Sequence, residues 1–347
     1  MLERLLIVGL GSIGRRHLRL ARELLPRAEI AALRHRSAAS DPGVQVDCVL
    51  TTLDAAIRYR PQAAVIANPA SHHLEAAMAL ARAGAHLLIE KPIASTERGV
   101  PELIEECRAR GLALMVGYNL RFLPSLGQFR DLLAQGRVGK VLSVRAEVGQ
   151  YLPSWRSDVD YRQTVSAQAA LGGGALLELS HEIDYLRWLF GEVEWVKSTQ
   201  RRASDLEIDV EDTVHLTLGF TDAAGTETVV AALSMDLVRH DTTRACTVIG
   251  EAGTLRWDGV AGLVQCYDKA ASGWQTLFDE PAGRDASYLD EWRAFVRCIA
   301  TGGQPQPSGA DGLAVIRVID AARISADSGC VARVRRDRVG GGASSAA

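Results

Sequence analysis

Three stretches of the 347-residue chain hold residue types at spacings that suit chemistry. The first, Gly9-Leu10-Gly11-Ser12-Ile13-Gly14, is a GxGxxG hexamer placed after an apolar run and before a helical pattern. Glycines there permit a tight turn and let backbone approach a pyrophosphate, while the helix N-terminus offers free N–H groups to the phosphates. The second, Glu90-Lys91-Pro92, closes the run HLLI and puts Lys91 at the carboxyl edge of a strand, where ligands of open α/β sheets bind. Of the 39 basic residues only Lys91, Lys140, Lys197 and Lys269 are lysines, so an ammonium at position 91 stands out against an arginine background. The third, GGGALLELSHEIDYLRWLFG over 172–191, carries His181. Oxidising an alcohol needs a base for the hydroxyl proton while hydride departs, and a histidine titrating near neutrality suits that task.

Projected as one helix over 175–190, Leu176, Leu179, Ile183, Leu186 and Phe190 form an aliphatic stripe. His181 then lies about 160° from Leu179, on the opposite face with Glu178, Asp184, Tyr185 and Trp188, a wall rather than open water. Glu178 and Asp184 each sit three residues from His181, close enough for either to orient the imidazole and favour its protonated form. Gly172-Gly173-Gly174 predicts close backbone approach to a ligand.

About 20 residues beyond the hexamer, an NAD site places an acid at the end of the second strand. Here the chain reads Arg34-His35-Arg36. A guanidinium pairs with a ribose 2′-phosphate that a carboxylate would repel, so NADP(H) is the expected cofactor, with NAD the alternative.

The positioning elements follow from hydrophobic period. Strands at 5–10, 29–34, 63–69, 86–92 and 112–119 alternate with helical patterns at 15–25, 72–84 and 101–111. That alternation predicts βαβ units and a parallel sheet. Beyond residue 120 a period near two at 138–152, 192–202, 212–220, 226–236, 244–250, 253–259 and 263–268 predicts a largely antiparallel sheet, with closing helices near 287–301 and 309–326. The expected organisation is α/β followed by α+β. A dinucleotide-binding domain spans 1–120, a substrate-binding and oligomerisation domain spans 121–338, and a disordered tail covers 339–347. The helix at 309–326 is expected to pack back on the first domain.

With 39 basic and 42 acidic side chains the formal charge is −3, and no block of like charge suggests nucleic acid or an anionic membrane as partner. Six scattered cysteines without short metal-ligand spacing fit a reducing cytoplasm and give no metal site. Neither a signal peptide nor an apolar span is apparent. An open second sheet predicts a homodimer or homotetramer.

The chain resembles the glucose–fructose oxidoreductase/inositol dehydrogenase family (Gfo/Idh/MocA). The resemblance runs through GLGSIGRRH, ANPASHHLEAAMALARAGAHLLIEKP, VGYNLRFLP, GGGALLELSHEID and DGLAVIRVIDAARISADSG. It implies a Rossmann domain carrying an open-sheet domain, and hydride transfer between a nicotinamide and a secondary alcohol. By that resemblance Lys91 holds the substrate hydroxyl and assists proton transfer, His181 is the catalytic histidine, and Asn68, Pro69, His73 and Glu90 line the cofactor. The family usually has an acid four residues before that histidine. Here Glu178 stands three before, which leaves its partner open between Glu178 and Asp184. Asn119 and Arg121 in VGYNLRFLP, and Tyr151, Trp155, Arg156 and Tyr161 in the irregular stretch 151–174, are the further candidates for substrate contact, since aromatics stack on sugar faces and arginines clamp anions. That stretch is similar to a subgroup associated with bacterial surface-glycan pathways, so a sugar, sugar acid, sugar nucleotide or cyclitol is the expected substrate. Two rival expectations are a non-catalytic dinucleotide-dependent sensor, and net non-redox glycoside chemistry through transient oxidation with tightly held NAD.

Overall fold

A computed structural model describes residues 2–34, 46–156, 159–221, 226–269 and 272–336. The expected tail, and His35 and Arg36, fall outside them. Strands β1 (Arg4–Val8), β2 (Glu29–Leu33), β3 (Cys48–Leu50), β4 (Ala63–Ile66), β5 (His86–Ile89) and β6 (Leu114–Val116) form a six-stranded parallel sheet in the order β3-β2-β1-β4-β5-β6. The continuous apolar run of β1 has a direct cause. Leu6 and Val8 enter the core on one face of the sheet, and Leu5 and Ile7 enter a second core on the other. Helices α1 (Ser12–Leu24), α2 (Leu53–Tyr59), α3 (His73–Arg82) and α4 (Val100–Ala109) make the crossovers. The short pair β3 and α2 was not legible as a unit, because CVL and LDAAIRY are too brief for a period to register.

After helix α5 (Pro124–Ala134) comes β7 (Val141–Gly149), then two helices, α6 (Ala175–Glu178) and α7 (His181–Phe190). Strands β8 (Glu192–Arg201), β9 (Thr213–Thr221), β10 (Glu227–Asp236), β11 (Thr243–Gly250), β12 (Gly253–Asp258), β13 (Leu263–Asp268) and β14 (Gly273–Asp279) follow. Helices α8 (Ala286–Thr301) and α9 (Gly309–Ser328) precede β15 (Ala332–Arg333). The second sheet has nine strands in the order β14-β13-β12-β11-β7-β10-β9-β8-β15. It is antiparallel except where β7 runs parallel to β10.

Both closing helices return to the first sheet. On α8, Trp292 donates its indole N–H to His17 Nδ1 on α1 at 3.0 Å. A Cβ on Gly312 of α9 would stand 2.9 Å from Val116, which is why glycine occupies that close approach. Ser308 caps α9 through a reciprocal pair with Asp311. Among the described residues no helix is long and apolar enough to cross a membrane.

Candidate active site

The hexamer does what its glycines allow. Gly9 adopts φ +87°, and a Cβ there would meet the Asn68 amide nitrogen at 2.8 Å. A Cβ on Gly14 would collide with the Gly9 carbonyl, so helix and turn can close only without one. At Gly11, the residue preceding α1, a Cβ would meet nothing within 4 Å, so that backbone faces open space. The first turn of α1 carries no acid to occupy its N–H groups. A cavity of about 590 Å³ opens here, lined by Gly9, Gly11, Ser12 and Ile13, by Arg34 at the end of β2, by Asn68, Pro69 and His73 after β4, and by Glu90 and Lys91 after β5. Asn68 Oδ1 is buried in this wall without a protein partner. An open glycine backbone, a helix N-terminus and an orphaned amide oxygen fit a dinucleotide.

Behind the cavity the strand ends are tied together. His73 is buried with Nδ1 3.0 Å from Pro92 O and Nε2 2.8 Å from Asn68 O, joining the turns after β4 and β5. Glu90 accepts from His17 Nε2 at 2.7 Å on one oxygen and from the Lys91 backbone N–H at 3.0 Å on the other. Because an indole N–H can only donate, His17 Nδ1 is the acceptor and its proton sits on Nε2. Burial opposes the Glu90 charge, yet the His17 hydrogen bond and the nearby Lys91 charge hold its carboxyl below the usual range. On α8, Glu291 is wholly enclosed with neither oxygen partnered, and burial, then the Glu90 charge, pushes its carboxyl well up. The Glu90 pair therefore fixes the backbone from which the Lys91 side chain departs.

Lys91 Nζ donates to the Glu178 carbonyl at 2.7 Å and lies 3.8 Å from its carboxylate. Glu178 is thus the partner of Lys91. His181 packs edge-on against Tyr118, ring centroids 5.7 Å apart, and its Nδ1 is buried without a partner. Burial first, then the charges of Lys91 and Arg244, lowers its pKa well below the usual value. This corrects the expectation of an acid favouring imidazolium. Asp184 is engaged by Arg121 in a two-pronged pair at 2.8 and 2.6 Å, and Arg121 reaches on to Asp311 at 3.0 Å. The surroundings of His181 therefore favour the neutral imidazole.

For Asp184, which shares α7 with His181, the cause is the Arg121 pair; for Glu178 it lies in the helix itself. Leu179 and Ser180 break it between α6 and α7, so the two halves do not share one wheel. From His181 to Arg187 every residue of α7 is buried. Tyr185 packs edge-on to Trp257 at 5.4 Å, and Trp188 lies under Arg130 and Arg121. Neither forms a wall beside His181. At Gly173 and Gly174 the close approach is made to protein, while Gly172 and Gly173 line a further cavity. A Cβ on Gly173 would strike the Val165 carbonyl, and one on Gly174 would stand 2.5 Å from the Glu211 carboxylate, so protein itself makes the close approach.

A second cavity of about 1050 Å³ adjoins the first and shares Gly11, Ser12, Arg16, Lys91, Arg156, Glu178 and Tyr288 with it. Of the residues anticipated at the substrate, Lys91, His181, Trp155 and Arg156 line it. Four others are engaged elsewhere. Asn119 donates to Ser287 Oγ at 2.8 Å in a buried joint, and Arg121 is bound by its two carboxylates. Tyr151 stacks on His240 with centroids 4.2 Å apart, and the Tyr161 hydroxyl accepts from the Glu207 N–H at 3.2 Å. Arg15, Arg16, Arg244, Arg284 and Tyr288 line the cavity without having been anticipated. RRH after the hexamer holds a signal for the first two. Arg244 and Arg284 come from β11 and a distant turn, and no spacing links them to the motifs.

The low His181 pKa sets a pH dependence. Were His181 to accept a substrate hydroxyl proton, its protonation would remove that acceptor, and kcat/KM would fall as pH drops through a folded-state value below 6.5. A pH profile is expected to stay level from neutrality down past 6.5. An acid limb centred above 6.5 that vanishes in His181→Gln would refute the neutral assignment.

Known proteins resemble this chain in sequence and fold. A family model described as an oxidoreductase family with an NAD-binding Rossmann fold matches residues 4–118, and the GFO/IDH/MocA C-terminal domain matches residues 127–256. Inositol 2-dehydrogenase 2 of Saccharopolyspora erythraea is 26% identical over 343 residues, covering 94% of each chain. Levoglucosan dehydrogenase of Pseudarthrobacter phenanthrenivorans is 25% identical over 302 residues, 74% of this chain and 75% of that one. A solved levoglucosan dehydrogenase in complex with NADH superposes with a TM-score of 0.83 at 24% identity, covering 96% of this chain and 100% of that one. Nucleotide cradle, strand-end lysine and open-sheet second domain thus meet in one chain, which belongs to the Gfo/Idh/MocA family of NAD-binding oxidoreductases.

Proposed function

We propose that the protein interconverts a secondary alcohol and a ketone on a sugar-like or cyclitol substrate, with Lys91 and His181 handling the proton. The observation that carries this reading is that Lys91 lines both cavities, one beside the dinucleotide cradle and one beside His181. Gly9, Gly11, the N-terminus of α1 and Asn68 would hold the dinucleotide, whose nicotinamide supplies the hydride acceptor. Lys91 Nζ spends one N–H on the Glu178 carbonyl and keeps two for the substrate oxygen, where they stabilise developing negative charge. The neutral His181 imidazole accepts the hydroxyl proton. Levoglucosan and inositol dehydrogenases among the relatives agree with a polyhydroxylated ring as substrate. Following absorbance at 340 nm across sugars, sugar acids and cyclitols tests it. Silence across that panel, despite tight dinucleotide binding, would overturn it.

NADP(H) is the proposed dinucleotide. Arg34 lines the cavity at the end of β2, and the carboxylates among the described lining residues, Glu90 and Glu178, belong to other walls. Arg34→Glu is expected to weaken NADPH by about tenfold or more while sparing NADH, the worth of a charge-assisted contact. Calorimetric titration checks it, and equal losses for both dinucleotides would sink the assignment. A homodimer or homotetramer through the second sheet is supported by β7, whose exposed and buried positions alternate as in a sheet packed on one face. The free cysteines among the described residues are compatible with a reducing cytoplasm.

A further inference from the structure

The cavity beside His181 is far more basic than the chain around it. Arg15, Arg16, Arg156, Arg244 and Arg284 line it together with Lys91, and Glu178 is its one carboxylate among the described lining residues. The chain as a whole carries a net charge of −3, so this concentration is local. Such a wall repels cations and draws in anions.

Arg244 is the most strongly placed of the set. It sits on β11, which pairs with β7, and its Nε donates to Glu182 Oε1 at 2.7 Å. Glu182 follows His181 on α7 and is wholly enclosed, so the carboxylate acts as a fixed post. A carboxylate holding Nε leaves the two terminal NH2 groups of the guanidinium, a planar fork matched to two oxygens of one anionic group. The Arg244 charge is also felt at the His181 imidazole. Arg244 and His181 line the same cavity, and Arg156 and Arg284 in its wall are both exposed. Among these arginines Arg16 is tied to Asp285 at 3.3 Å and covers Tyr288.

We infer that the substrate carries an anionic group, a carboxylate or a phosphate, which Arg244 receives on a guanidinium fork anchored by buried Glu182, beside His181. The inference rests on the alcohol–ketone reading above and names the substrate class within it. A neutral monosaccharide could accept from this fork through a hydroxyl but would leave its charge unpaired. A sugar acid, a sugar phosphate or a nucleotide sugar would pair with it, the last two reaching further along the arginine-lined wall.

The test uses the full chain loaded with its preferred dinucleotide. Calorimetry compares glucuronate, glucose 6-phosphate and UDP-glucose with glucose and myo-inositol at near-physiological salt. At least one anionic probe is expected to bind about tenfold or more tightly than the neutral pair, as a charge-assisted contact implies. Which probe gains identifies carboxylate, phosphate or diphosphate. Arg244→Gln removes the advantage. Arg244→Lys, which keeps an ion pair with Glu182 but loses the fork, lowers it and guards against a folding artefact in the first variant. Equal binding of anionic and neutral probes overturns the inference, and so does an anionic advantage that survives both variants. Anionic binding lost in Arg244→Gln, with no probe changing absorbance at 340 nm, supports the subsite and counts against the redox reading. Turnover confined to neutral sugars does the reverse.

Discussion

Lys91→Met lowers kcat by a factor of about 10² to 10⁴, the usual worth of a positioned proton-handling group. Dinucleotide affinity stays close to wild type. The separation follows from what each part of the site holds. The grip on the dinucleotide comes from the Gly9–Gly14 turn, the N-terminus of α1 and the Asn68 wall. The Lys91 side chain instead crosses to the Glu178 carbonyl at 2.7 Å and borders the cavity that holds His181. Methionine matches the side chain as far as Cε and loses the ammonium with every donor, so the loss falls on charge stabilisation at the substrate oxygen. A second readout distinguishes this from disruption. The Lys91 charge depresses the His181 pKa, so its removal raises that pKa and moves the acid limb of residual activity to higher pH. Stopped-flow turnover, dinucleotide fluorescence and the pH profile together decide it. A kcat within about tenfold of wild type would remove Lys91 from the mechanism.

Arg121→Met destabilises the fold by about 3–5 kcal/mol, the cost of stranding a buried charge. Arg121 has a side chain 8% exposed and bridges Asp184, 1% exposed, and Asp311. Asp184 is on α7, Asp311 begins α9, and Arg121 lies at the exit from the first sheet, so one guanidinium joins three segments. Without it buried Asp184 loses its hydrogen-bonded cation, and Arg187, 3.8 Å from Asp311, is left as the nearby positive charge. Thermal unfolding shows a drop of several degrees or more, and KM in the surviving folded protein changes little. Adding Asp184→Asn recovers part of the loss, since the deeply buried side chain at position 184 then carries no unpaired charge. A selective rise in KM at unchanged unfolding temperature would instead return Arg121 to the substrate.

How far the residues could be read in advance depended on the range of the interaction. The parallel sheet was legible because each strand is buried on both faces and writes an unbroken apolar run, as in LLIV and AAVI. The nucleotide turn was legible because its glycines act on neighbours a few residues away: Gly9 takes a positive φ and Gly14 meets the Gly9 carbonyl. Lys91 and His181 could be singled out by residue type and position. Their partners could not. A helical wheel placed Glu178 and Asp184 beside His181, but the break at Leu179 and Ser180 puts Glu178 on a separate helix, and Asp184, which shares α7 with His181, is taken by Arg121. Burial all round α7 then erased the amphipathic face on which that reading relied.

Local chemistry along the chain accounts for the cradle, the strand-end lysine and the alternation of elements, because steric and hydrogen-bond constraints over a few residues suffice for each. Electrostatic partnership obeys no such locality. Glu178 answers to Lys91, 87 positions away, Asp184 to Arg121, 63 away, and Glu182 to Arg244, 62 away. Those pairings, and the neutral His181 they leave behind, arise only when two sheets and two returning helices pack together, because a Coulomb interaction depends on distance through space and on the water excluded between the charges.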